Sequence, residues 1–260
     1  QAVSKIIYAK TKSKGSRMIK QITPEQLPVD VLKAYEGWQD NFKKSIDSDE
    51  FIPYTQYEGE DKNLLALRSK EEFMSWYGQS PGKIGEPYRD NGFYVRELTW
   101  LSMWANPRTV VEFGTDKGIG TFILKRLNPQ STLYTVDISL KVQMPPNDQR
   151  VDAGFFALLN KLNAVFVHAN SKNFECIDPV DFCFIDGDHS KDKVWQDSLR
   201  AWANRSKNGR WVIVWHDFRD EEAFAGLKIS VHRFSDLVRK KVYKFEDSAT
   251  AWMYGDPSEA

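Results

Sequence analysis

The sequence has little cysteine, no net charge and no long apolar run, and each absence excludes a class of protein. Only two cysteines occur among 260 residues, too few for a disulfide-rich scaffold or a cysteine-built zinc site. The 36 basic and 36 acidic residues cancel, which argues against a general nucleic-acid or membrane-surface binder. No run of eighteen apolar residues occurs, so we predict no membrane-spanning helix. We expect a reducing, cytoplasmic setting.

The first part of the chain predicts a basic arm followed by helices. The first 22 residues carry six basic side chains and no acid, and we interpret them as a solvated arm, with an anion-contacting arm as the alternative. Apolar residues at i, i+4, i+7 and i+11 from Val31 predict one face of a helix. A capping-box spacing at Ser69 predicts another helix, and residues 79–92 are rich in glycine and proline.

After Pro107, short apolar runs alternate with helix-length segments. We predict strands at 109–113, 132–136, 164–168, 180–185, 211–215, 241–246 and 250–254, and helices at 119–127, 151–162 and 190–204. A further helix should precede the first strand, with Val95, Leu98 and Ser102 on one face. Strands separated by helices are typical of a parallel sheet covered on both faces. Only three residues separate the last two runs, so these should form an antiparallel hairpin.

The first of these strands leads into a glycine-rich turn. The stretch VVEFGTDKGIGT contains an acid, Glu112, and three glycines, Gly114, Gly118 and Gly120. Ligands bind outside the carboxyl ends of strands in open α/β sheets, and free backbone N–H groups at a helix start favour a polar or anionic group. A dinucleotide fingerprint would need another glycine where Ile123 stands. The turn is therefore a predicted ligand site without the dinucleotide pattern.

The spacing acid-x-Gly-x-x-x-Gly-x-Gly resembles the first motif of class I S-adenosylmethionine-dependent methyltransferases. In that family the loop surrounds the amino-acid end of the cofactor. The resemblance implies that Glu112, Gly114, Thr115, Gly118 and Gly120 bind S-adenosylmethionine. It also implies a Rossmann-like, mostly parallel α/β sheet of seven strands in the order 3-2-1-4-5-7-6, ending in the antiparallel hairpin.

Two further strand ends carry polar residues that suit this cofactor. The second strand ends at Asp137, where a carboxylate can accept two hydrogen bonds from a ribose diol. The third strand opens into Asn170 and Ser171, a position at which methyltransferases often supply a small polar group to adenine. Asn-Ser is also ordinary turn chemistry, so both interpretations of this pair stay open.

Acids and histidines follow the fourth and fifth strands. The fourth strand runs into Asp186, Asp188 and His189, and the fifth runs into His216 and Asp217. Because neighbouring parallel strands end at the same edge of a sheet, we expect these side chains to lie close together. Ionisable groups collected in a cleft are candidates for chemistry.

The motifs FIDGDHS and WHDF, which contain these residues, are more specific than the glycines. They resemble the methyltransferase group that contains the macrocin-type sugar O-methyltransferases and the cephalosporin-biosynthesis relatives, over roughly residues 93–256. The resemblance implies a divalent cation, with Mg²⁺ as the first candidate, held by Asp186 and Asp217. Mg²⁺ takes a few carboxylates and leaves its other sites to water and substrate hydroxyls. Asp186 also borders the implied cofactor site.

His216 departs from that pattern, because metal-dependent relatives frequently have another acid there. Three alternatives stay open: Asp188 completes a Mg²⁺ site, another ion binds, or no ion binds and His189 or His216 is a general base. Asp188 and His189 also suit a purely structural role as caps of the following helix.

The sequence thus predicts S-adenosylmethionine-dependent O-methylation of a small-molecule or sugar hydroxyl. The methyltransferase domain should cover 93–260, behind an N-terminal extension and lid at 1–92 with Tyr88 and Arg89 as candidate lid contacts. We expect no nucleic-acid or membrane partner, and whether copies form a homo-oligomer stays open. The alternatives are a methyltransferase-fold protein that binds without turnover and a nucleotide-dependent oxidoreductase on the same sheet.

Overall fold

The computed structural model describes residues 19–46, 93–144 and 149–257. The arm up to residue 18, the helix predicted near Ser69 and the lid contacts Tyr88 and Arg89 lie outside the described residues. Among the residues that are described, no helix combines the length and the apolar character needed to cross a bilayer.

A mixed sheet of eight strands forms the centre of the molecule. The ten strands of the described chain are β1 Lys20–Gln21, β2 Thr109–Phe113, β3 Thr132–Asp137, β4 Lys141–Met144, β5 Gln149–Asp152, β6 Val165–His168, β7 Phe182–Ile185, β8 Trp211–Trp215, β9 Tyr243–Lys244 and β10 Ala251–Gly255. The order in the sheet is β1-β9-β10-β8-β7-β2-β3-β6, while β4 and β5 form a separate hairpin. When β1 and the hairpin strands β4 and β5 are left out and the other strands are numbered in chain order from β2, they lie in the order 3-2-1-4-5-7-6. This confirms the predicted order.

The direction of the strands also agrees with the prediction. β2 pairs in parallel with β3 and β7, β3 with β6, and β7 with β8. β10 runs antiparallel to both β8 and β9, which confirms the terminal hairpin. The carboxyl ends of β2, β3, β6, β7 and β8 therefore lie at one edge of the sheet.

The sheet has one strand more than the seven predicted. Lys20–Gln21 pairs in parallel with β9, and the backbone N–H of Lys20 donates to the carbonyl oxygen of Val242 at 3.0 Å. A strand of two residues has no hydrophobic periodicity that a sequence could show. The pairing of β4 with β5 was not predicted either.

Seven helices flank the described strands. They are α1 Val29–Glu36, α2 Trp38–Ile46, α3 Phe93–Ala105, α4 Ile119–Leu127, α5 Phe155–Leu159, α6 Lys191–Asn204 and α7 Ala225–Val238. The helices predicted at 119–127 and 190–204 are confirmed, whereas Gly37 divides the predicted N-terminal helix in two. The helix predicted at 151–162 is wrong at its start, because residues 149–152 pair with β4 as a strand. α7 was not predicted.

The side chains of the central strands alternate between two hydrophobic cores, one on each face of the sheet. In β7, Phe182 and Phe184 pack into the core that includes residues of α1 to α4, whereas Cys183 and Ile185 pack into the core with α6 and α7. A strand covered on both faces has a continuous apolar sequence, which is why the sequence predicts a strand there. Both cysteines are free thiols. The described N-terminal helices thus share the core of the sheet.

We expect the α4 side of the core to be sensitive to truncation. Phe122 is fully buried, with its ring centroid 4.7 Å from that of Phe156. Phe122→Ala should lower the free energy of unfolding by about 3–5 kcal/mol, since the change leaves a cavity. The control, Ile177→Ala, removes a side chain that is 94% exposed and should change stability by about 0.5 kcal/mol or less. Equal losses for both variants in urea unfolding would contradict this packing.

Candidate functional site

The turn after β2 contacts the turn after β7 through Gly114. Its backbone has φ +94°, and a Cβ placed there would lie 2.2 Å from the carbonyl oxygen of Asp186. The backbone N–H of Asp186 in turn donates to the carbonyl oxygen of Phe113 at 2.8 Å. Only glycine can adopt this positive φ and also bring its backbone this close to the carbonyl oxygen of Asp186. Gly114 therefore places the predicted cofactor loop directly against the first predicted metal acid.

Glu112 lies beneath the glycine loop as a buried acid. Its Oε2 accepts hydrogen bonds from the hydroxyls of Thr121 and Thr135, the second at 2.6 Å. Burial outweighs these bonds and raises the pKa of Glu112 to about 8, so the side chain carries a proton at neutral pH. A Cβ on Gly120 would lie 2.3 Å from Oε1 of Glu112. The acid of the motif thus fills the space that this glycine leaves, and supports the loop from below.

Asp137 holds the loop from the side. Its Oδ2 accepts from the backbone N–H groups of Thr115 at 2.9 Å and Asp116 at 3.1 Å, and its Oδ1 accepts from Ser139 N–H at 2.7 Å. An ionised carboxylate has about four acceptor positions, so capacity for ligand hydroxyls is left over. The predicted ribose ligand therefore also orders the predicted methionine loop.

Two adjoining cavities lie at this edge of the sheet. The first cavity, of about 350 Å³, is lined by Asp137, Asn170 and Ser171 among others. The second cavity, of about 330 Å³, is lined by the glycine loop and by His189, His216 and Asp217. Gly114 and Asp186 line both, so the two cavities meet at these residues. Their sizes lie in the range of small-molecule and cofactor sites.

Asp186, His189, His216 and Asp217 lie together, as the strand order predicts. Nδ1 of His216 is 2.9 Å from Oδ1 of Asp186 and 3.4 Å from Oδ2 of Asp217. Nε2 of His189 is 3.3 Å from Oδ2 of Asp217 and 3.8 Å from Oδ1 of Asp186. Each histidine therefore bridges the same two carboxylates.

The charges in this cluster are unequal. Burial opposes a charge on His216, but the charge and hydrogen bond of Asp186, with those of Asp217, outweigh burial and raise the pKa of His216 to about 10. Burial acts to raise the pKa of Asp186, but the charge of His216 lowers it below its ordinary value. His216 and Asp186 are therefore an imidazolium–carboxylate pair at neutral pH.

Asp217 is held in place by its backbone and by a cation. Its φ of +52° lies in the left-handed region, which aspartate tolerates better than most residues. Nη2 of Arg219 is 2.9 Å from its Oδ1, while Oδ2 faces the two histidines. The position of this carboxylate is thus set by contacts on both sides.

Asp188 lies apart from this cluster. Its Oδ1 accepts from the backbone N–H of Ser190 at 2.7 Å, at the start of α6, and this bond is the main cause of its lowered pKa. Its side chain lines the first cavity and not the second. Asp188 thus closes the turn before α6, whose N-cap residue is Ser190 and has no side-chain cap hydrogen bond.

The arrangement contains one set of donors suited to a metal ion. Asp186, His189 and Asp217 can each offer a ligand atom, and these atoms all lie within 4.8 Å of one another. Nε2 of His189 is buried and makes no hydrogen bond among the described residues. Two carboxylates and an imidazole with a free, inward nitrogen fit a divalent cation.

Several cavity residues were missed by sequence reasoning. Tyr94 and Lys117 line the second cavity, and Ile138, Lys193 and Asp197 line the first. Lys117 lies inside the glycine motif, so its position could have been found. Asp197 falls three residues after Val194 on α6, on the buried face, and a charge on that face was a usable signal.

The Gly114 contact predicts that two neighbouring glycines differ in their tolerance of a side chain. Gly114→Ala should lower the free energy of unfolding by at least about 1–3 kcal/mol, because its Cβ would meet backbone in a left-handed conformation. Gly187→Ala is the matched control, since its Cβ would find only ordinary contacts at 3.7 Å and beyond. Chemical denaturation of both variants measures the difference, and indistinguishable losses would refute the close approach.

Comparisons with known proteins agree with this site. Residues 111–218 match the family model described as a methyltransferase domain. A comparison with curated protein sequences finds no match. The matched segment runs from the glycine turn through WHDF, and so contains every predicted cofactor and metal residue. This match favours methyl transfer over the oxidoreductase alternative.

The chain also resembles solved structures. Cofactor-bound Rv0187 from MTB is 16% identical over 67% of this chain and 83% of its own, with a TM-score of 0.47. The O-methyltransferase from Bacillus cereus in complex with SAH is 17% identical over 67% and 82%, with a TM-score of 0.44. MycE from the mycinamycin biosynthetic pathway, in complex with Mg and SAH, is 14% identical over 58% and 46%, with a TM-score of 0.40.

These likenesses are distant, and the fold assignment rests on the strand order of the chain itself. That order, the glycine turn after its first parallel strand and the family match describe the same segment. Residues 111–218 thus match a methyltransferase domain, and the sheet around them has the strand order that the resemblance to class I S-adenosylmethionine-dependent methyltransferases implies.

Proposed function

We propose that this methyltransferase moves the methyl group of S-adenosylmethionine to a hydroxyl oxygen of a small molecule or sugar. The observation that carries the proposal is the cluster of Asp186, His189 and Asp217, which lies in the same cavity as the glycine loop. A methyl donor bound by the glycine loop and a hydroxyl group bound by the cluster would lie in the same cavity. Positioning of this kind supplies much of the rate of a two-reactant step.

The cofactor lies across both cavities in this proposal. Its ribose hydroxyls bind Asp137, its adenine faces Asn170 and Ser171, and the apolar side chain of Ile138 covers the ring in the first cavity. Its methionine half lies on the glycine loop in the second cavity, where the ammonium group of Lys117 neutralises the carboxylate. Gly114 and Asp186, which line both cavities, would then be the residues nearest to the sulfonium group.

His189 is the proton acceptor of the proposed reaction. Its buried Nε2 has no hydrogen-bond partner among the described residues and faces the carboxylates of Asp186 and Asp217. Bound S-adenosylmethionine would supply the methyl group, and the hydroxyl proton would pass to this nitrogen as the oxygen–carbon bond forms and the carbon–sulfur bond breaks. General bases of this type contribute about 10²–10⁴-fold to a rate.

His216 has a different role. A base must be free of its proton, and the pairing with Asp186 keeps His216 protonated at neutral pH. Its positive charge offsets that of the two carboxylates and fixes the Asp186 side chain. The ring of Tyr94 packs edge-on against the His216 imidazole at 4.7 Å between centroids, and forms an aromatic wall of the acceptor space.

A divalent cation fits the same cluster. Held by Asp186 and Asp217, it would polarise a bound hydroxyl and lower the pKa of that hydroxyl. One nitrogen cannot bind an ion and accept a proton at the same time, so the proposal leaves His189 to the proton and gives the ion the two carboxylates. Mg²⁺ accepts a set of two carboxylates with water and substrate oxygens. We also propose a reducing, cytoplasmic setting, which the two free thiols support.

His189→Ala tests the assignment of the base. Transfer of a labelled methyl group from S-adenosylmethionine to a panel of sugar and small-molecule hydroxyl compounds should identify an acceptor. With that acceptor, His189→Ala should lower kcat by about 10²–10⁴-fold, because the proton acceptor is lost. Binding of S-adenosylhomocysteine, measured by calorimetry, should stay within about threefold of wild type, since it makes no use of the base.

The control is His232→Ala, on α7 and outside both cavities, which should leave kcat unchanged. An unaltered kcat in His189→Ala would remove His189 from the mechanism. Methyl transfer to nitrogen or carbon acceptors alone would contradict the choice of a hydroxyl.

A further inference from the structure

Asp197 is a buried acid of the first cavity that the proposed reaction does not use. It lies on α6, is 4% exposed and lines the cavity together with Ser171 and Lys193. Buried carboxyl groups are costly to ionise and are seldom kept without a partner. Its partner here is the hydroxyl of Ser171, which donates to Oδ1 of Asp197 at 2.5 Å.

This hydrogen bond determines what Ser171 can offer to a ligand. A serine hydroxyl has one proton and two acceptor positions. Because the proton points to Asp197, Oγ of Ser171 can only accept a hydrogen bond from a molecule in the cavity. The neighbouring Asn170 differs, since its side-chain oxygen already accepts from the backbone N–H of Lys172 at 3.1 Å. That oxygen keeps a second lone pair and the amide nitrogen can donate, so Ser171 is the member of the pair that presents only an acceptor.

An acceptor at this place matches one edge of adenine. The exocyclic amino group at C6 of adenine is a hydrogen-bond donor, whereas a 6-oxo purine presents an acceptor at the same position. Two acceptors that face each other leave both without a partner, which should weaken binding about 10-fold or more in a buried site. The polarity of the Ser171 hydroxyl therefore distinguishes the two bases.

We propose that Asp197 is a positioning residue that fixes Ser171 Oγ as a hydrogen-bond acceptor and thereby selects a 6-amino purine over a 6-oxo purine. The inference rests on the proposed function, since it takes the adenine of the cofactor to lie in the first cavity. It adds a determinant of base recognition that no glycine or strand-tip residue supplies.

The charge state of Asp197 makes the selection sensitive to pH. Burial raises the pKa of Asp197 to about 6, against the Ser171 hydrogen bond and the charge of Lys193, while the charge of Asp188 adds to the rise. The charge of Asp197 also acts on the Cys183 thiol of β7, and burial holds the pKa of that thiol well above its ordinary value. Below pH 6, a protonated Asp197 can donate to Ser171 and free the serine proton to point into the cavity.

The test compares two ligands by calorimetric titration, S-adenosylhomocysteine and S-inosylhomocysteine, at pH 7.5 and pH 5.0. Wild type should bind the adenosyl compound about 10-fold or more tightly at pH 7.5, and this ratio should fall about threefold or more at pH 5.0. Groups that face the methionine half, including the histidines of the second cavity, affect both ligands equally and cancel in the ratio. The pKa of Asp188 lies below its ordinary value, so this neighbour stays ionised at both pH values.

Two variants separate a positioning role from a structural one. Asp197→Asn has no titrating group, so its ratio should be the same at both pH values. Ser171→Ala removes the hydroxyl and should bring the ratio close to one at both. If the wild-type ratio of the two affinities does not change with pH, or if Ser171→Ala leaves that ratio unchanged, the inference about Asp197 is overturned while the proposed function stands. Absence of binding of either ligand overturns the proposed cofactor site and the inference with it.

Discussion

The site depends on the absence of a side chain at Gly114. β2 and β7 are adjacent in the sheet, and the turns that follow them can share one edge only if their backbones come into contact. A Cβ on Gly114 would lie 2.2 Å from the carbonyl oxygen of Asp186, so glycine is required for this contact. The contact joins the loop that we propose binds the cofactor to the acid that we propose faces the acceptor. Everything proposed about methyl transfer follows from that juxtaposition.

Buried polar groups maintain the juxtaposition. Glu112, protonated through burial, supports the glycine loop from below. Asp137 accepts hydrogen bonds from three backbone N–H groups, those of Thr115, Asp116 and Ser139. On the other side, His216 pairs with Asp186, and Arg219 pairs with Asp217. Such groups are costly to bury without partners and rigid once they are satisfied. The loop and the acid cluster are therefore held before any ligand binds.

The fold was largely predictable because its central strands β2, β7 and β8 are buried on both faces. Continuous apolar runs located β2, β7 and β8, and their order followed from the resemblance carried by the glycine turn. Other elements left weak patterns or none. β1 has only two residues, and the β4–β5 hairpin was hidden within a predicted helix. α7 was missed although Leu227, Val231 and Phe234 repeat at helical spacing, so that failure was avoidable.

For the site, the sequence shows which residues meet but not how they pair. Strand ends predict that Asp186, His189, His216 and Asp217 share an edge, and the structure brings them together. The protonation of His216 depends on its ring nitrogen lying 2.9 Å from a carboxylate, and residue order contains no information on such a distance. Residue order also does not show that Asp188 lies outside the cluster. Its carboxylate accepts instead from the backbone N–H of Ser190, two residues further along.

The central claim is that the glycine loop and the acid cluster form one site for S-adenosylmethionine and its acceptor. Calorimetric titration with S-adenosylhomocysteine, with and without Mg²⁺, tests it most directly. The account predicts one binding site per chain in both conditions, with tighter binding when Mg²⁺ occupies Asp186 and Asp217. Binding that does not depend on Mg²⁺ would remove the cation from the account and leave methyl transfer with His189 as the general base. No binding in either condition would contradict the claim itself.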